Sequence, residues 1–151
     1  LDIRLADLSG QQVRALLATH LDGMRQNSPP SRVYALDLTG LQASDVSVWT
    51  AWEEDELMGV GALKQLSSLA GEIKSMRTDP RHLRKGVGRT LLEHLITEAQ
   101  WRGYLRLSLE TGSGAEFEAA LSHYRRRGFE KGEPFGDCHP SEFNQFLHRA
   151  L

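Results

Sequence analysis

Two hydrophobic periods take turns along this chain, and their order predicts its elements. Ile3 and Leu5 alternate with Asp2 and Arg4, the two-residue period of a short strand that ends near Asp7. Val13, Leu16, Leu17, His20, Leu21 and Met24 then recur at helical spacing behind Ser9 and Gln12, which are spaced as a capping box. Ser28-Pro29-Pro30 ends that helix, because a proline biases the residue before it away from helical geometry. A short second helix is expected within Arg32 to Gln42, with Gly40 interrupting its pattern. β-Branched and aromatic residues make Val46 to Glu53 a strand, and Glu54-Asp55 turns it into another from Glu56 to Gln65. After a turn around Ser67-Ser68, Gly71 to Thr78 gives the next strand.

Val87, Leu91, Leu92, Leu95, Ile96 and Ala99 share one helical stripe that Gly103 terminates. Leu105, Leu107 and Leu109 alternate with Arg106, Ser108 and Glu110, so this strand is expected to bury its leucines. Phe117, Ala120, Leu121 and Tyr124 predict a helix from about Ala115 to Arg127, stopped by Gly128, with Ser113 as its expected N-cap. Two strands, near Phe129 to Pro134 and Asn144 to Ala150, complete the order β-α-(α)-β-β-β-α-β-α-β-β. No repeat, low-complexity tract or linker divides the chain, so residues 1–151 are expected to form one domain.

Composition narrows the function classes. Of 151 residues, 40% are hydrophobic and 25% charged, the balance of a soluble globular protein. A formal net charge of −2 lacks the basic excess that non-specific nucleic-acid binding needs. The single cysteine, Cys138, excludes an internal disulfide and offers no zinc-ligand spacing. His82, His94, His123, His139 and His148 are likewise scattered, so no metal is expected. No apolar run approaches the ~20 residues of a membrane span, and Leu1 to Asp7 lacks a signal-peptide layout. The expected location is a reducing cytoplasm.

Positive charge is concentrated locally, with six Arg or Lys between Lys74 and Arg89. There, Arg84-Lys85-Gly86-Val87-Gly88-Arg89 joins a strand to an amphipathic helix. Glycines let backbone approach a ligand, and a helix start offers unpaired N–H groups and a positive dipole end, which suits a pyrophosphate. A glycine pair alone is also what an ordinary loop contains. A P-loop is disfavoured, because no Gly-Lys-Ser/Thr follows.

The element order with this turn, together with Leu83-Arg84-Lys85-Gly86-Val87-Gly88 and Tyr124-Arg125-Arg126-Arg127-Gly128-Phe129, resembles the GNAT superfamily of N-acetyltransferases over nearly the whole chain. The resemblance implies an α+β fold, a mixed and mostly antiparallel twisted sheet flanked by helices. It also implies acetyl-coenzyme A as co-substrate, bound by Met76, Arg77, Thr78, Arg84, Lys85, Gly86, Val87, Gly88 and Arg89. Leu83 departs from the usual Arg or Gln, so one side-chain contact of the motif is lost while its amides remain.

The same resemblance implies roles for two further residues. Glu72, fourteen positions before Gly86, is similar in placement to a general-base glutamate; a solvated glutamate at a strand start is the competing reading. An alkyl amine with a pKa of ~10 must lose a proton before it attacks, which is what a base supplies. Tyr124 stands where the family carries a tyrosine that serves as acid to the departing thiolate; it also continues an apolar stripe, as a core residue does. The acceptor side implied by the family includes Met24, Ser28, Tyr34, Trp49, Lys74, Glu110 and Asp137. Lys74 and Arg77 suit an acceptor with a carboxylate or pair with Glu72 or Glu110. Trp49 and Trp52, three positions apart, point to opposite sides of their strand, so at most one lines a cleft. His20 reads as a packed histidine and Cys138 as a bystander. The expected acceptor is the primary amine of a small molecule. A catalytically silent coenzyme A sensor and an enzyme acting on a protein amine remain as alternatives, and C-terminal edge strands make a homodimer plausible.

Overall fold

The computed structural model describes residues 1–27, 38–114, 117–135 and 143–151, with side chains outside 20–27 and 38–39. Its strands are β1 (Asp2–Leu5), β2 (Val46–Glu53), β3 (Glu56–Ser67), β4 (Ala70–Thr78), β5 (Arg106–Thr111), β6 (Glu130–Lys131) and β7 (Gln145–Ala150). Its helices are α1 (Gln11–Asn27), the single turn α2 (Leu38–Leu41), α3 (Val87–Trp101) and α4 (Glu118–Arg126), with a 3-10 turn at Pro80–His82. The strands form one seven-stranded sheet in the order β1-β2-β3-β4-β5-β7-β6. Among the described residues only β4 and β5 pair in parallel. The element order is the one the hydrophobic periods predict.

Each face of the sheet has its own core. Val13, Leu16 and Leu41 of α1 and α2 pack with Val48, Leu57, Val60 and Ala62. On the other face Leu91, Leu92, Leu95, Leu121 and Tyr124 of α3 and α4 pack with Leu63, Ile73, Leu107, Leu109 and Leu147. The alternation of strand side chains therefore assigns Glu72, Lys74, Ser108 and Glu110 to the α1 face, since Ile73, Leu107 and Leu109 take the α3 face.

Two irregularities open the middle of this sheet. β4 pairs with β5 only over Ala70 to Ile73, opposite Arg106 to Leu109, and then continues to Thr78 along β3. In the β3–β4 register Val60 faces Arg77 and Ala62 faces Lys74, so Ser75 and Met76 together oppose Gly61. That is a β-bulge, and Ser75 adopts φ 54° within it. A Cβ on Gly61 would lie 2.6 Å from the Met76 sulfur, so a larger residue there would have to displace the Met76 side chain. Gly59 makes room for α3: a Cβ there would lie 2.7 Å from Val87 Cγ1 and 3.1 Å from the Arg77 carbonyl oxygen. The bare backbone lets the first turn of α3 rest directly on β3 beside the gap.

Several sequence expectations change. Ser9 and Gln12 form no capping box: Ser9 N–H donates to Asp7 Oδ1 at 2.9 Å, and Gln12 ties α1 to the β2–β3 turn through the Asp55 carbonyl and the Leu57 N–H. Hydrogen bonding to Ser9 holds the Asp7 carboxyl below its usual pKa. Leu105 is 61% exposed, because it precedes the first β4–β5 pair and so lies off the covered sheet. The strand expected over Phe129 to Pro134 is reduced to Glu130–Lys131. The N-cap of α4 is Phe117 rather than Ser113. β7 lies between β5 and β6, so the outer strands are β1 and β6. Residues 32–37 of the expected second helix, and 115 and 116 of the later one, lie outside the described residues.

Candidate active site

At the mouth of the gap, the chain turns into α3 through two left-handed residues, Arg84 (φ 65°) and Gly86 (φ 80°). Gly86 is the N-cap and makes no side-chain capping bond. The Thr90 N–H and hydroxyl both donate to the Gly86 carbonyl oxygen, at 3.0 and 2.8 Å. The amides of Val87, Gly88 and Arg89 precede that first helical bond, so as first-turn donors they have no acceptor within the helix. No heavy atom lies within 4 Å of where a Gly86 Cβ would stand, so the turn opens onto free space. Val87 is buried beneath it, whereas Arg84, Lys85 and Arg89 are exposed around it. A diphosphate fits this combination of outward N–H groups, cations and missing side chains. Leu83, which replaces a polar residue of the motif, is 59% exposed.

Glu72 is 4% exposed, which excludes the solvated reading. Its Oε2 lies 3.1 Å from Lys74 Nζ, itself mostly buried. Burial raises the Glu72 pKa, and the charges of Lys74 and Lys64 oppose that rise without cancelling it. A carboxyl shifted upward in a low-dielectric setting is a stronger base than a surface glutamate. The register pairs Glu72 with Lys64 on one side and Ser108 on the other. Arg77 pairs with Val60, an α1-face residue, and its Nε is buried without a hydrogen-bond partner among the described residues. Met76 packs against the α3-face core, and Thr78 Oγ1 would lie 3.5 Å from a Cβ on Gly88.

Tyr124 reaches the opposite face. Its ring packs edge-on against Phe129 with centroids 5.8 Å apart, and burial pushes the phenol up to about 12. The hydroxyl therefore keeps its proton throughout the physiological range and is a permanent donor. Beside it, His123 lies near Gly88, and burial holds its imidazole below the usual pKa.

Not all the acceptor-side residues converge. Trp49 is 6% exposed and packs against His94 and under α3, on the face away from Glu72, so it lines no shared cleft with that carboxylate. Trp52 instead donates to Thr50 Oγ1 at 2.8 Å beneath Arg4. Glu110 shares the Glu72 face and accepts a 2.9 Å hydrogen bond from Asn144. The side chains of His20 and Met24, and residues Ser28, Tyr34, Asp137, Cys138 and His139, lie outside the described residues. Sequence reasoning missed the bulge residue Ser75, whose hydroxyl is buried and unpartnered among the described residues. It also missed the Ser108–His148 pair at 2.7 Å and the Glu56 contact of His82, since each joins positions that are distant in sequence. Among the described residues, no group of three or more His, Cys, Asp or Glu could hold a metal ion, and no helix is long and apolar enough to cross a membrane.

Comparison with known proteins extends these findings. The model of the acetyltransferase (GNAT) family matches residues 13–129. The uncharacterized N-acetyltransferase YsnE of Bacillus subtilis is 49% identical over 99% of both chains. YedL of Escherichia coli, also an uncharacterized N-acetyltransferase, is 44% identical over 99% of this chain and 94% of its own. A putative acyl-CoA N-acyltransferase from Klebsiella pneumoniae superposes with a TM-score of 0.78 at 26% identity, covering 99% and 97% of the two chains. A GNAT family acetyltransferase from Elizabethkingia anophelis, solved with acetyl-CoA bound, superposes at 0.74 with 17% identity over 99% and 97%.

Proposed function

The chain belongs to the acetyltransferase (GNAT) family and is an N-acetyltransferase that uses acetyl-CoA, and on that premise we propose that it acetylates the primary amine of a small molecule by direct attack on the thioester. Acetyl-CoA supplies the acetyl group in activated form. The amides of residues 87–89, with Arg84, Lys85 and Arg89, hold its diphosphate. Glu72 takes the proton from the attacking amine, directly or through water, on the α1 face. Backbone N–H groups of β4 beside the bulge, where β5 has left the ladder, stabilise the oxygen that becomes negative. The Tyr124 hydroxyl gives a hydrogen bond to the departing thiolate from the α3 face while the thiolate takes its proton from solvent, so base and donor act from opposite sides of the gap.

The observation that carries this reading is the buried Glu72 carboxyl with its raised pKa beside the parting of β4 and β5. A surface glutamate would be too weak a base for an ammonium near pKa ~10. A small acceptor is favoured because Glu72 is enclosed at 4% exposure, which suits a slender amine reaching inward. The test is a thiol-release assay with acetyl-CoA and a panel of amines, amino acids and peptides. Turnover with a small amine well above hydrolysis supports the proposal. Turnover only with peptides would move the acceptor to protein, and coenzyme binding with no amine-dependent turnover would leave a sensor.

A further inference from the structure

Beside the glycine turn, Glu56, His82 and Lys85 form a chain of contacts of which the acetyl-transfer scheme uses only Lys85. His82, in the 3-10 turn, is 7% exposed. Its Nε2 lies 2.9 Å from Glu56 Oε1, at the start of β3, and its Nδ1 lies 3.1 Å from Lys85 Nζ. Lys85 is the residue immediately before Gly86, the N-cap of α3.

Only one arrangement of protons satisfies both contacts. An ammonium has donors and no lone pair, so Nδ1 must accept from Lys85. The ring proton then resides on Nε2 and is donated to Glu56, which in this way selects the tautomer. Arg81 reinforces Glu56 from 3.9 Å and is itself held by Asp79 at 3.0 Å. We propose that His82 is a positioning residue for coenzyme binding: with Glu56 it fixes the Lys85 ammonium beside the α3 N-terminus, where the two remaining N–H donors of that ammonium meet an anionic phosphate. A free lysine would have to surrender its side-chain freedom when the ligand arrives, whereas Lys85 is already ordered at the turn. Glu56 contributes at a distance, because without it the imidazole is free to carry its proton on Nδ1 and repel the ammonium.

The inference rests on the reading of residues 84–89 as the diphosphate site, and the experiment separates the two. Acetyl-CoA affinity, by calorimetry and as KM, is measured for Lys85→Ala, Glu56→Ala, His82→Ala, His82→Asn and the double variants with Lys85→Ala. Glu56 is half exposed, so its removal tests the idea without a folding defect. Each single alanine is expected to weaken acetyl-CoA binding about threefold to tenfold, with the loss falling on KM rather than kcat. His82→Asn, which keeps an acceptor near Nδ1, is expected to recover most of it. Adding Lys85→Ala to His82→Ala or to Glu56→Ala is expected to weaken binding little further, because residues acting through one group are not additive. Fully additive losses would overturn the proposal, as would losses confined to kcat or melting temperature. If Lys85→Ala has no effect while Gly86→Trp abolishes binding, the glycine turn stands and this inference falls. If neither substitution matters, the diphosphate reading falls with it.

Discussion

Burial acts on Glu72 and Tyr124 in the same direction, raising the pKa of the carboxyl and of the phenol alike. A base must be ionised to act, so with Glu72 in that role activity rises with pH through its pKa. Because burial places that pKa above the ordinary ~4.3, the acid limb of the profile is expected at higher pH than a surface glutamate would give. Glu72→Gln is expected to lower kcat by about 100-fold or more and to flatten this limb; an unchanged profile would assign the base elsewhere. Lys74→Met is expected to move the limb upward in pH, since Lys74 lowers the Glu72 pKa. Tyr124→Phe removes a donor but keeps the ring in its packing against Phe129. Its kcat is expected to fall about tenfold to 100-fold while calorimetry finds acetyl-CoA affinity nearly unchanged. The family resemblance singled out Glu72 as a candidate by its placement fourteen positions before Gly86. Its burial was not legible, because that depends on Lys64 and Ser108 arriving from neighbouring strands.

The element that matters most is α3, and its placement is decided by glycines on two elements. Gly86 was legible from its position between a strand and a helical stripe. Gly59 and Gly61 carry no comparable signal, because what they avoid, Val87 and Met76, lies across the sheet or on its covering helix. Gly59→Val would force the first turn of α3 away from β3, and urea unfolding is expected to show about 1–3 kcal/mol of destabilisation. Weakened acetyl-CoA binding should accompany it, since the same turn carries the amides. Gly86→Trp combines a left-handed backbone that an L-residue adopts at a cost of about 1–2 kcal/mol with a ring placed in the ligand's space. Its acetyl-CoA KM is expected to rise more than tenfold in steady-state assays. At the ends of α3 and α4, the glycines read as stops do adopt left-handed geometry, Gly103 at φ 82° and Gly128 at φ 90°. A left-handed glycine stop depends on its own backbone, so local sequence reports these two ends, whereas the expected N-caps at Ser9 and Ser113 were not formed.

Across the whole molecule, one sheet with a helical layer on each face places Glu72 on one side of a gap and Tyr124 on the other. Acetyl-CoA that binds the folded state alone is expected, at a hundred times its dissociation constant, to add about 2.7 kcal/mol of stability. For a chain of this size the melting temperature is expected to rise by about 5–10 °C, whereas ATP at the same concentration should give a much smaller shift. The sequence by itself determined the order of strands and helices, the glycine turn and the family, because hydrophobic periods, glycine conformations and short motifs are properties of neighbouring residues. The tertiary structure alone decided which faces those residues share. Trp49 went under α3, Glu72 became a buried partner of Lys74, Ser75 became a bulge, and Glu56, His82 and Lys85 met beside the glycine turn. Strand register and the close approach of backbones join positions as far apart in the chain as Glu56 and His82 or Gly59 and Val87, and no local pattern of residues encodes such a meeting.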